Sequence, residues 1–269
     1  MKIEIDNLGF TYPGGVQALR GVSLAIEPGE RVAIVGQNGS GKTTLVKHLN
    51  GLLRPTQGVV TIGNWRTVEH SVAQLARHVG YVFQNPADQL FKSTVRAEVA
   101  FGPTNLGFSA ERVQALVENA LALLELSDRA QINPYDVDFV WRKQIALAAV
   151  VAMDTPILVL DEPTTGQDAR ALQRLSKLLD VLRQQNKTVI TISHDMDFVA
   201  ENFERVIVMG QGRILRDGNA RQVLGESDIL QQTNLQSPQM TRLAQRLGLW
   251  NEIVSVDDFL RAYADWARK

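Results

Sequence analysis

The sequence predicts an α/β fold with a largely parallel central sheet, and three observations support that prediction. Ile157 to Leu160 is a continuous apolar run, which is typical of a parallel strand buried on both faces. A glycine-rich stretch from Gly36 to Thr44 lies between an apolar run and a segment with helical spacing. The chain has 269 residues, 45% of them hydrophobic, which suits one large domain with a small appendage. We predict that the large domain spans residues 1–225 and that a helical appendage spans residues 226–269.

Composition narrows the classes of partner and compartment. Lys and Arg number 28 against 29 acidic residues, so no broad positive field favours nucleic acid, and we expect no nucleic-acid partner. The absence of cysteine excludes disulfides and a cysteine nucleophile and is compatible with the cytosol. No signal peptide is evident at the start, and the longest apolar run, Ile145 to Met153, is too short to cross a bilayer. If the protein works at a membrane, another component must hold it there.

The first segment shows strand patterns. Ile3 and Ile5 alternate with charged residues, and apolar residues alternate again from Val22 to Ile26. A further strand is predicted at Val59 to Ile62, between two glycines. These runs predict an antiparallel β layer. Tyr12 lies among them, and its ring has the shape to stack on an adenine face, with ordinary strand packing as the alternative.

The glycine-rich stretch fits the phosphate-binding pattern G-x-x-x-x-G-K-[ST]. Its glycines allow successive backbone N–H groups to turn toward one point, and the helix that follows adds its positive end, so the stretch can hold nucleotide phosphates. Lys42 supplies a charge, and the Thr43 hydroxyl can reach Mg²⁺. The alternative is a glycine-rich turn matched by chance. The predicted nucleotide-binding residues of this stretch are Gly36, Gln37, Asn38, Gly39, Ser40, Gly41, Lys42, Thr43 and Thr44.

A strand predicted at Val79 to Phe83 ends at Gln84. The Gln84 amide both donates and accepts hydrogen bonds, so it can approach Mg²⁺ and an attacking water, although an exposed loop amide is the alternative. Ser109 is a predicted N-cap, and apolar residues then recur on one helical face from Val113 to Leu124. We therefore predict a helical insertion of about residues 85–153 between strands of the core.

Two adjacent acids follow the apolar run that ends at Leu160. Asp161 can hold Mg²⁺ through water, and Glu162 can accept a proton from the water that attacks a γ-phosphate. The alternative is a polar exit from a strand. A further strand, Thr188 to Ser193, delivers His194 to the same edge of the sheet, where its ring can hydrogen-bond a phosphate oxygen.

In this order the motifs resemble the ATPase domain of ATP-binding cassette (ABC) transporters, which implies a P-loop NTPase (RecA-like) core and the cofactors ATP and Mg²⁺. The resemblance covers about residues 1–225, with the helical subdomain at 85–153. It implies that Tyr12 stacks on adenine, that Gly36 to Thr44 is the Walker A loop and that Gln84 is the Q-loop residue. It further implies that Asp161 ends the Walker B strand, that Glu162 is the catalytic carboxylate, and that Asp168 and His194 are the D-loop acid and switch histidine.

Residues 81–91 and 99–107 narrow the resemblance to the ATPase subunits of energy-coupling factor (ECF) importers of vitamins and transition-metal ions. Ser237 is a predicted N-cap before a helix with Met240 and Leu247 on one face, and Ser255 is predicted to cap a second helix. This pair resembles the dimerisation segment of ECF ATPases. The alternative is a helical cap packed on its own domain.

One departure from the family concerns its signature, which is close to L-S-G-G-Q. The usual spacing places Val137-Asp-Phe-Val-Trp141 there, without the serine or the glycines. In an ABC dimer the signature of one subunit faces the Walker A loop of the other and grips the γ-phosphate. The Asp138 carboxylate would repel each phosphate charge by roughly 3 kcal/mol at about 5 Å and an effective dielectric near 20. Phe139 and Val140 lack the close backbone approach of glycine. We expect Asp138, Phe139, Val140, Trp141 and Asp168 at the dimer interface, and we expect Gln167, where the family has Leu, to disturb D-loop contacts mildly.

The altered signature leads to a hypothesis of asymmetry. A homodimer would have two defective sites, so the expected partner is a second ABC ATPase subunit with an intact signature. The resemblance further implies a transmembrane coupling subunit that rests near residues 84–91 and a substrate-binding membrane subunit, which together place the chain at the cytoplasmic face of the membrane as a peripheral protein. Three alternatives remain open: a decayed copy, the ATPase of a non-ECF ABC transporter, and a soluble ABC protein that acts on nucleic acid.

Overall fold

The structure is a computed structural model that describes residues 1–249 and 253–266, and it has two sheets. The strands are β1 (Ile3–Thr11), β2 (Gln17–Ile26), β3 (Arg31–Val35), β4 (Gln57–Ile62), β5 (Trp65–Arg66), β6 (Val79–Val82), β7 (Ile157–Asp161), β8 (Thr188–Ile192), β9 (Arg205–Gly210) and β10 (Arg213–Asn219). The helices are α1 (Lys42–Val46), α2 (Val72–Leu75), α3 (Val95–Asn105), α4 (Ala110–Leu123), α5 (Phe139–Val151), α6 (Ala169–Gln184), α7 (Met196–Asn202), α8 (Ala220–Gly225), α9 (Ser227–Gln232), α10 (Gln239–Arg246) and α11 (Val256–Trp266).

The central sheet has six strands in the order β10-β9-β3-β8-β7-β6. All neighbouring strands in it run parallel except β9 and β10, which form an antiparallel hairpin. Residues alternate between its two faces along each parallel strand. In β7, Ile157 and Val159 join the core on one face, whereas Leu158 and Leu160 join the core on the other. This double burial explains why the strand is a continuous apolar run, and the predicted α/β fold is confirmed.

The second sheet is the predicted antiparallel layer, with four strands in the order β2-β1-β4-β5. Ile3 lies between Ile26 of β2 and Ile62 of β4, and all three side chains are buried. Together with α1, this sheet covers one face of the central sheet. Apolar side chains of α3, α4, α5, α6 and α7 pack on the other face.

The helices between β6 and β7 are α3, α4 and α5, within the stretch where the sequence predicts an insertion. Ser109 caps α4 as predicted, since its side chain accepts a hydrogen bond from the backbone N–H of Arg112. Helix α3 was not predicted, because Gly102 and Pro103 inside it interrupt the helical pattern.

The C-terminal pair of helices is present, with one capping prediction correct and one wrong. The Ser255 hydroxyl accepts from the backbone N–H of Asp258 and so caps α11 as predicted. Ser237 does not cap α10; instead Asp197 of α7 accepts from the backbone N–H of Gln239 at 2.7 Å. A carboxylate from another element has replaced the expected local cap.

No helix among the described residues is both long and apolar enough to span a membrane.

Candidate nucleotide site

The carboxyl ends of β3, β6, β7 and β8 lie along one edge of the central sheet and bring together residues from four separate stretches of sequence. They surround a cavity of about 140 Å³. The cavity is lined by Asn38, Gly39, Gly41, Lys42, Thr43, Thr44, Gln84, Glu162 and His194. The structure therefore places the glycine-rich loop, the strand-end glutamine, the second acid and the histidine in one site.

The loop from Gly36 to Gly41 depends on glycine at positions of positive φ. Gly36, Gly39 and Gly41 have φ values of 150°, 78° and 102°. A Cβ added to Gly36 would lie 2.2 Å from the carbonyl oxygen of Met209. Both the backbone conformation and the close packing exclude a larger residue at Gly36.

Lys42 folds back onto the loop that precedes it. Its Nζ donates to the carbonyl oxygens of Gly36 at 2.6 Å and Gln37 at 3.0 Å. Burial lowers the pKa of Lys42, and the carboxylates of Glu162 and Asp161 oppose that shift. Nearby, the Ser40 hydroxyl oxygen is buried and has no hydrogen-bond partner among the described residues. A cationic group and an unsatisfied hydroxyl beside a ring of glycines suit a bound phosphate.

Asp161 and Thr43 form the part of the site that suits a divalent cation. The Thr43 hydroxyl donates to Asp161 Oδ1 at 3.3 Å, and the Tyr81 hydroxyl donates to Asp161 Oδ2 at 2.8 Å. Asp161 is only 2% exposed, and burial raises its pKa. Mg²⁺ favours carboxylate and hydroxyl oxygens, so this desolvated donor set fits it.

Glu162 is buried beside His194, which is more exposed. His194 Nε2 lies 2.9 Å from Glu162 Oε1, and the Thr165 hydroxyl donates to Glu162 Oε2 at 3.3 Å. The backbone of Glu162 has a φ of 51°, which is strained for a residue with a side chain. The first acid after Leu160 thus faces the hydroxyl of Thr43, and the second faces the histidine.

Tyr12 contacts Thr44, and Gln84 lines the cavity. The Tyr12 hydroxyl lies 3.0 Å from Thr44 Oγ1, and its ring packs edge-on against Phe10. Gln84 follows β6 on a folded loop, in which Gln89 Oε1 accepts from the backbone N–H of Phe83. The exposed Tyr12 ring is available for stacking, and adenine stacking there remains a prediction.

The altered segment at residues 137–141 lies outside this cavity and begins α5. The Asp138 carboxylate accepts from the backbone N–H of Trp141 at 3.0 Å, which makes Asp138 the N-cap of α5. The Phe139 ring lies against Gly166, where an added Cβ would come within 2.8 Å of it. The Trp141 ring is flanked by the guanidinium groups of Arg129 and Arg174, whose carbons lie 3.8 and 4.6 Å from the ring centroid. The segment is therefore a well-packed helix start without glycine.

The loop after Glu162 is bonded to α5 within the same chain. Asp168 caps α6 by accepting from the backbone N–H of Ala171 at 2.7 Å. Gln167, which was expected to disturb this loop, accepts at Oε1 from Nε2 of the fully buried Gln144 at 2.8 Å. Gln167 Nε2 and Gln144 Oε1 are buried and have no hydrogen-bond partner among the described residues, and a disturbance of D-loop contacts by Gln167 stays a prediction.

The sequence analysis did not identify three residues that contact the site or the loop after it: Tyr81, Lys143 and Gln144. Tyr81 interrupts an otherwise aliphatic strand, and its hydroxyl reaches Asp161 from the adjacent strand. Lys143 and Gln144 precede the apolar run of α5, yet both are buried. For Lys143, the sequence signal that could have been used is a charged residue just before the apolar run that starts at Ile145.

Comparisons with known proteins agree with this geometry. The family model described as "ABC transporter" matches residues 19–165. The energy-coupling factor transporter ATP-binding protein EcfA of Methanothermobacter thermautotrophicus is 39% identical over 248 residues, which are 91% of this chain and 79% of the relative. A putative ABC transporter ATP-binding protein of Geobacter sulfurreducens is 42% identical over 88% of this chain and 94% of its own length.

Solved structures give the same result at the level of the fold. The cbiO1 structure from Clostridium perfringens, described as part of the ABC transporter complex cbiONQ, has a TM-score of 0.76 at 31% identity and covers 92% of this chain and 98% of its own. The ATP-binding cassette MJ0796, as a dimer in a post-hydrolysis state with ADP and Pi, has a TM-score of 0.75 at 27% identity and covers 81% and 98%. The chain belongs to the ABC transporter family, as an ATP-binding subunit with ATPase activity.

Proposed function

We propose that the chain is the ATP-hydrolysing subunit of an ECF-type importer of a vitamin or transition-metal ion, held as a peripheral protein at the cytoplasmic face of the membrane. The observation that carries the hydrolytic part is the 2.9 Å contact between Glu162 Oε1 and His194 Nε2 in the cavity that Lys42 also lines. The importer class is supported by residues 81–91 and 99–107 and by the similarity to EcfA proteins, which are energy-coupling factor transporter ATP-binding proteins.

The residues of the site divide the chemistry among them. Lys42 would exchange its loop carbonyls for the phosphates of ATP, and Tyr12 would stack on the adenine. Thr43, Asp161 and Gln84 are the residues that would hold Mg²⁺, which neutralises phosphate charge when bound. Glu162 accepts the proton of the attacking water, and His194 fixes the Glu162 carboxylate and donates to a phosphate oxygen.

We propose that the chain works in an asymmetric heterodimer. Its own nucleotide residues are all present, so its site would hydrolyse ATP once a partner subunit supplies an intact signature. The second site of the dimer would be formed by the partner's Walker A loop and by residues 138–141 of this chain. There Asp138 is a carboxylate and Phe139 a bulky side chain, 42% exposed. That site would bind ATP without efficient turnover, because no glycine N–H groups approach the γ-phosphate. The domain division at residue 225 and a dimerising role for α10 and α11 belong to the same proposal.

The membrane partners would contact the surface that follows Gln84. Phe91 is 58% exposed and packs edge-on against the exposed Phe101, with Lys92 Nζ over both rings. An exposed aromatic pair of this kind suits a helix of a transmembrane coupling subunit, and a separate membrane subunit would bind the substrate. Co-purification of a small membrane coupling protein with the tagged chain would support the ECF class. Recovery of a different transporter subunit without that coupling protein would contradict it.

The first experiment measures the ATPase activity of the purified chain against that of a variant in which residues 138–141 are replaced by Ser-Gly-Gly-Gln, with Glu162→Gln as the blank. We expect the native chain alone to match the blank and the variant to hydrolyse ATP, because only the variant offers a glycine-containing signature to a second copy. Glu162-dependent hydrolysis by the native chain alone would contradict the asymmetric heterodimer.

A further inference from the structure

Lys143 is a buried lysine next to the hydrolytic site. It lies on α5, two residues after the altered segment, and is 2% exposed. Its Nζ donates a short hydrogen bond to the backbone carbonyl oxygen of Glu162. Among the described residues, no carboxylate lies within 4.0 Å of this ammonium, so the carbonyl is a principal partner.

A buried ammonium without an ion pair is costly. Removal of an ammonium from water costs several kcal/mol unless nearby charges and hydrogen bonds compensate. The fields of the Glu162 and Asp161 carboxylates compensate in part, because they favour the charged form of Lys143. An apolar side chain at this position would cost less free energy to bury. A role for Lys143 must therefore come from its contact with Glu162.

The contact acts on a backbone that is otherwise unfavourable. Glu162 has a φ of 51°, a conformation that costs on the order of 1 kcal/mol or more for a residue with a side chain. Its N–H donates to the carbonyl oxygen of Ile192 at 2.9 Å. Its carbonyl oxygen accepts from Lys143 and, at the longer distance of 3.4 Å, from the backbone N–H of Thr165, so the peptide groups on both sides of its Cα are fixed. With both fixed, the carboxylate lies 2.9 Å from His194 Nε2.

We propose that Lys143 is a positioning residue for ATP hydrolysis, which holds the Glu162 backbone so that the Glu162 carboxylate meets the attacking water. The inference rests on the proposed role of Glu162 as the proton acceptor. Without the ammonium, the loop after β7 relaxes and the carboxylate moves away from His194. ATP binding does not depend on this contact, because the phosphate loop and α1 are separate elements.

The chain offers a control at the amino ends of the central strands. Lys187 Nζ donates to the backbone carbonyl oxygen of Asp154 at 2.9 Å and also pairs with Asp154 Oδ1 at 2.6 Å, and Asp154 also has a positive φ, 54°. Both residues precede their strands, β8 and β7, and lie at the strand ends away from the cavity. Lys187→Met thus removes a lysine-to-carbonyl contact, together with an ion pair, without touching the site.

The test compares Lys143→Met, Lys143→Arg and Lys187→Met in the full chain and in the complex that co-purifies with it. For Lys143→Met we expect amide hydrogen exchange in residues 162–166 to accelerate by about tenfold or more, as a locally opened segment does. In the complex, kcat should fall by ~10- to 100-fold, the range for a misplaced catalytic group, with KM for ATP within about twofold of wild type. In Lys143→Arg, residues 162–166 should exchange more slowly than in Lys143→Met. Lys187→Met should change neither this exchange nor kcat.

The outcomes separate this inference from the proposed function. Unchanged exchange in residues 162–166 of Lys143→Met would overturn the role of Lys143, as would a loss of ATP affinity in place of kcat. If exchange accelerates but the wild-type complex hydrolyses ATP no faster than a Glu162→Gln complex, Lys143 does hold the Glu162 backbone, but the proposed role of Glu162 as the proton acceptor is wrong. If Lys143→Met does not fold, Lys143→Gln, which keeps a donor without the charge, gives the same comparison.

Discussion

At the scale of single residues, burial shifts the pKa values of the ionisable groups of the site, and neighbouring groups add to or oppose that shift. Burial raises the pKa of Asp161, while hydrogen bonds from Tyr81 and Thr43 lower it and so favour the charged form. Burial raises the pKa of Tyr81 well above its usual value, so its hydroxyl stays a donor. Burial lowers the pKa of Lys143 to about 8, against the opposing fields of Glu162 and Asp161.

The lowered pKa of Lys143 predicts how its effect on stability depends on pH. In the unfolded chain a lysine keeps its proton up to about pH 10.5, whereas in the folded chain Lys143 loses it above about pH 8. Between these values the unfolded state binds more protons, so this residue makes the folded chain more stable as pH rises. We expect Lys143→Met to exceed wild type in stability at pH 7 and to lose on the order of 1 to 2 kcal/mol of that advantage by pH 9.5.

Urea unfolding of wild type and Lys143→Met at the two pH values measures this change, with Lys187→Met as the reference for a lysine lost elsewhere. A difference between Lys143→Met and wild type that stays constant across the two pH values would contradict the prediction.

At the scale of elements, α5 contains two features that are adjacent in sequence. Its N-terminus carries the altered segment, and one turn later Lys143 and Gln144 bond to the loop at residues 162–167. Asp138 keeps the helix start intact, because a carboxylate caps a helix as a serine does. Residues 137–141 therefore contain no glycine but still provide an N-cap for α5.

Asp138→Ala should destabilise the chain by about 1 kcal/mol, the usual cost of losing an N-cap, whereas Asp138→Ser should stay close to wild type. Denaturant unfolding at neutral pH measures both. Asp136→Ala, at an exposed acid two residues earlier, is the matched control and should be neutral. Equal destabilisation by the alanine and serine variants would show that the cap has no part in holding α5.

Sequence patterns predicted most of this architecture, and the misses have physical causes. Strand runs such as Ile157 to Leu160 and the phosphate loop depend on local chemistry that the sequence displays directly. The cap of α10 by Asp197, the contact of Tyr81 with Asp161 and the bond from Lys143 to Glu162 join elements distant in sequence. Such contacts depend on how the elements pack, which one sequence does not reveal.

At the scale of the whole molecule, the C-terminal segment contacts the rest of the chain through both polar and apolar side chains. Asn234 Nδ2 donates to Gln37 Oε1 in the phosphate loop at 2.7 Å, and Arg221 pairs with Asp258 at 2.8 Å. Ala244, Leu249 and Ile253 form a small apolar cluster, whereas Leu230, Leu235 and Val254 belong to the main core. Further apolar side chains stay exposed, among them Leu243, Leu247, Val256, Leu260 and Tyr263. An exposed apolar surface on a domain with its own cores suits a second subunit more than it suits a cap.

Replacement of Leu260 and Tyr263 together by Glu should weaken association with the partner ATPase subunit by about tenfold or more, since two apolar contacts become charges. Both residues lie on α11 and are 57% and 43% exposed, so the fold should be unaffected. Sedimentation of the purified complex measures the loss. Val68→Glu changes a 39% exposed apolar residue outside α11 and so controls for the effect of added charge. Unchanged association would favour the alternative that these helices only cover their own domain.

The short distance along α5 between its start and Lys143 has a kinetic consequence. The residues that would meet a partner's nucleotide and the lysine proposed to hold Glu162 lie within two turns of one helix, so a tilt of that helix would move both. A nucleotide held in the partner's site should then set the catalytic rate constant of this chain's site, while its affinity for ATP stays the same. A site that seldom turns over would, in these terms, serve as a timer for the site that does.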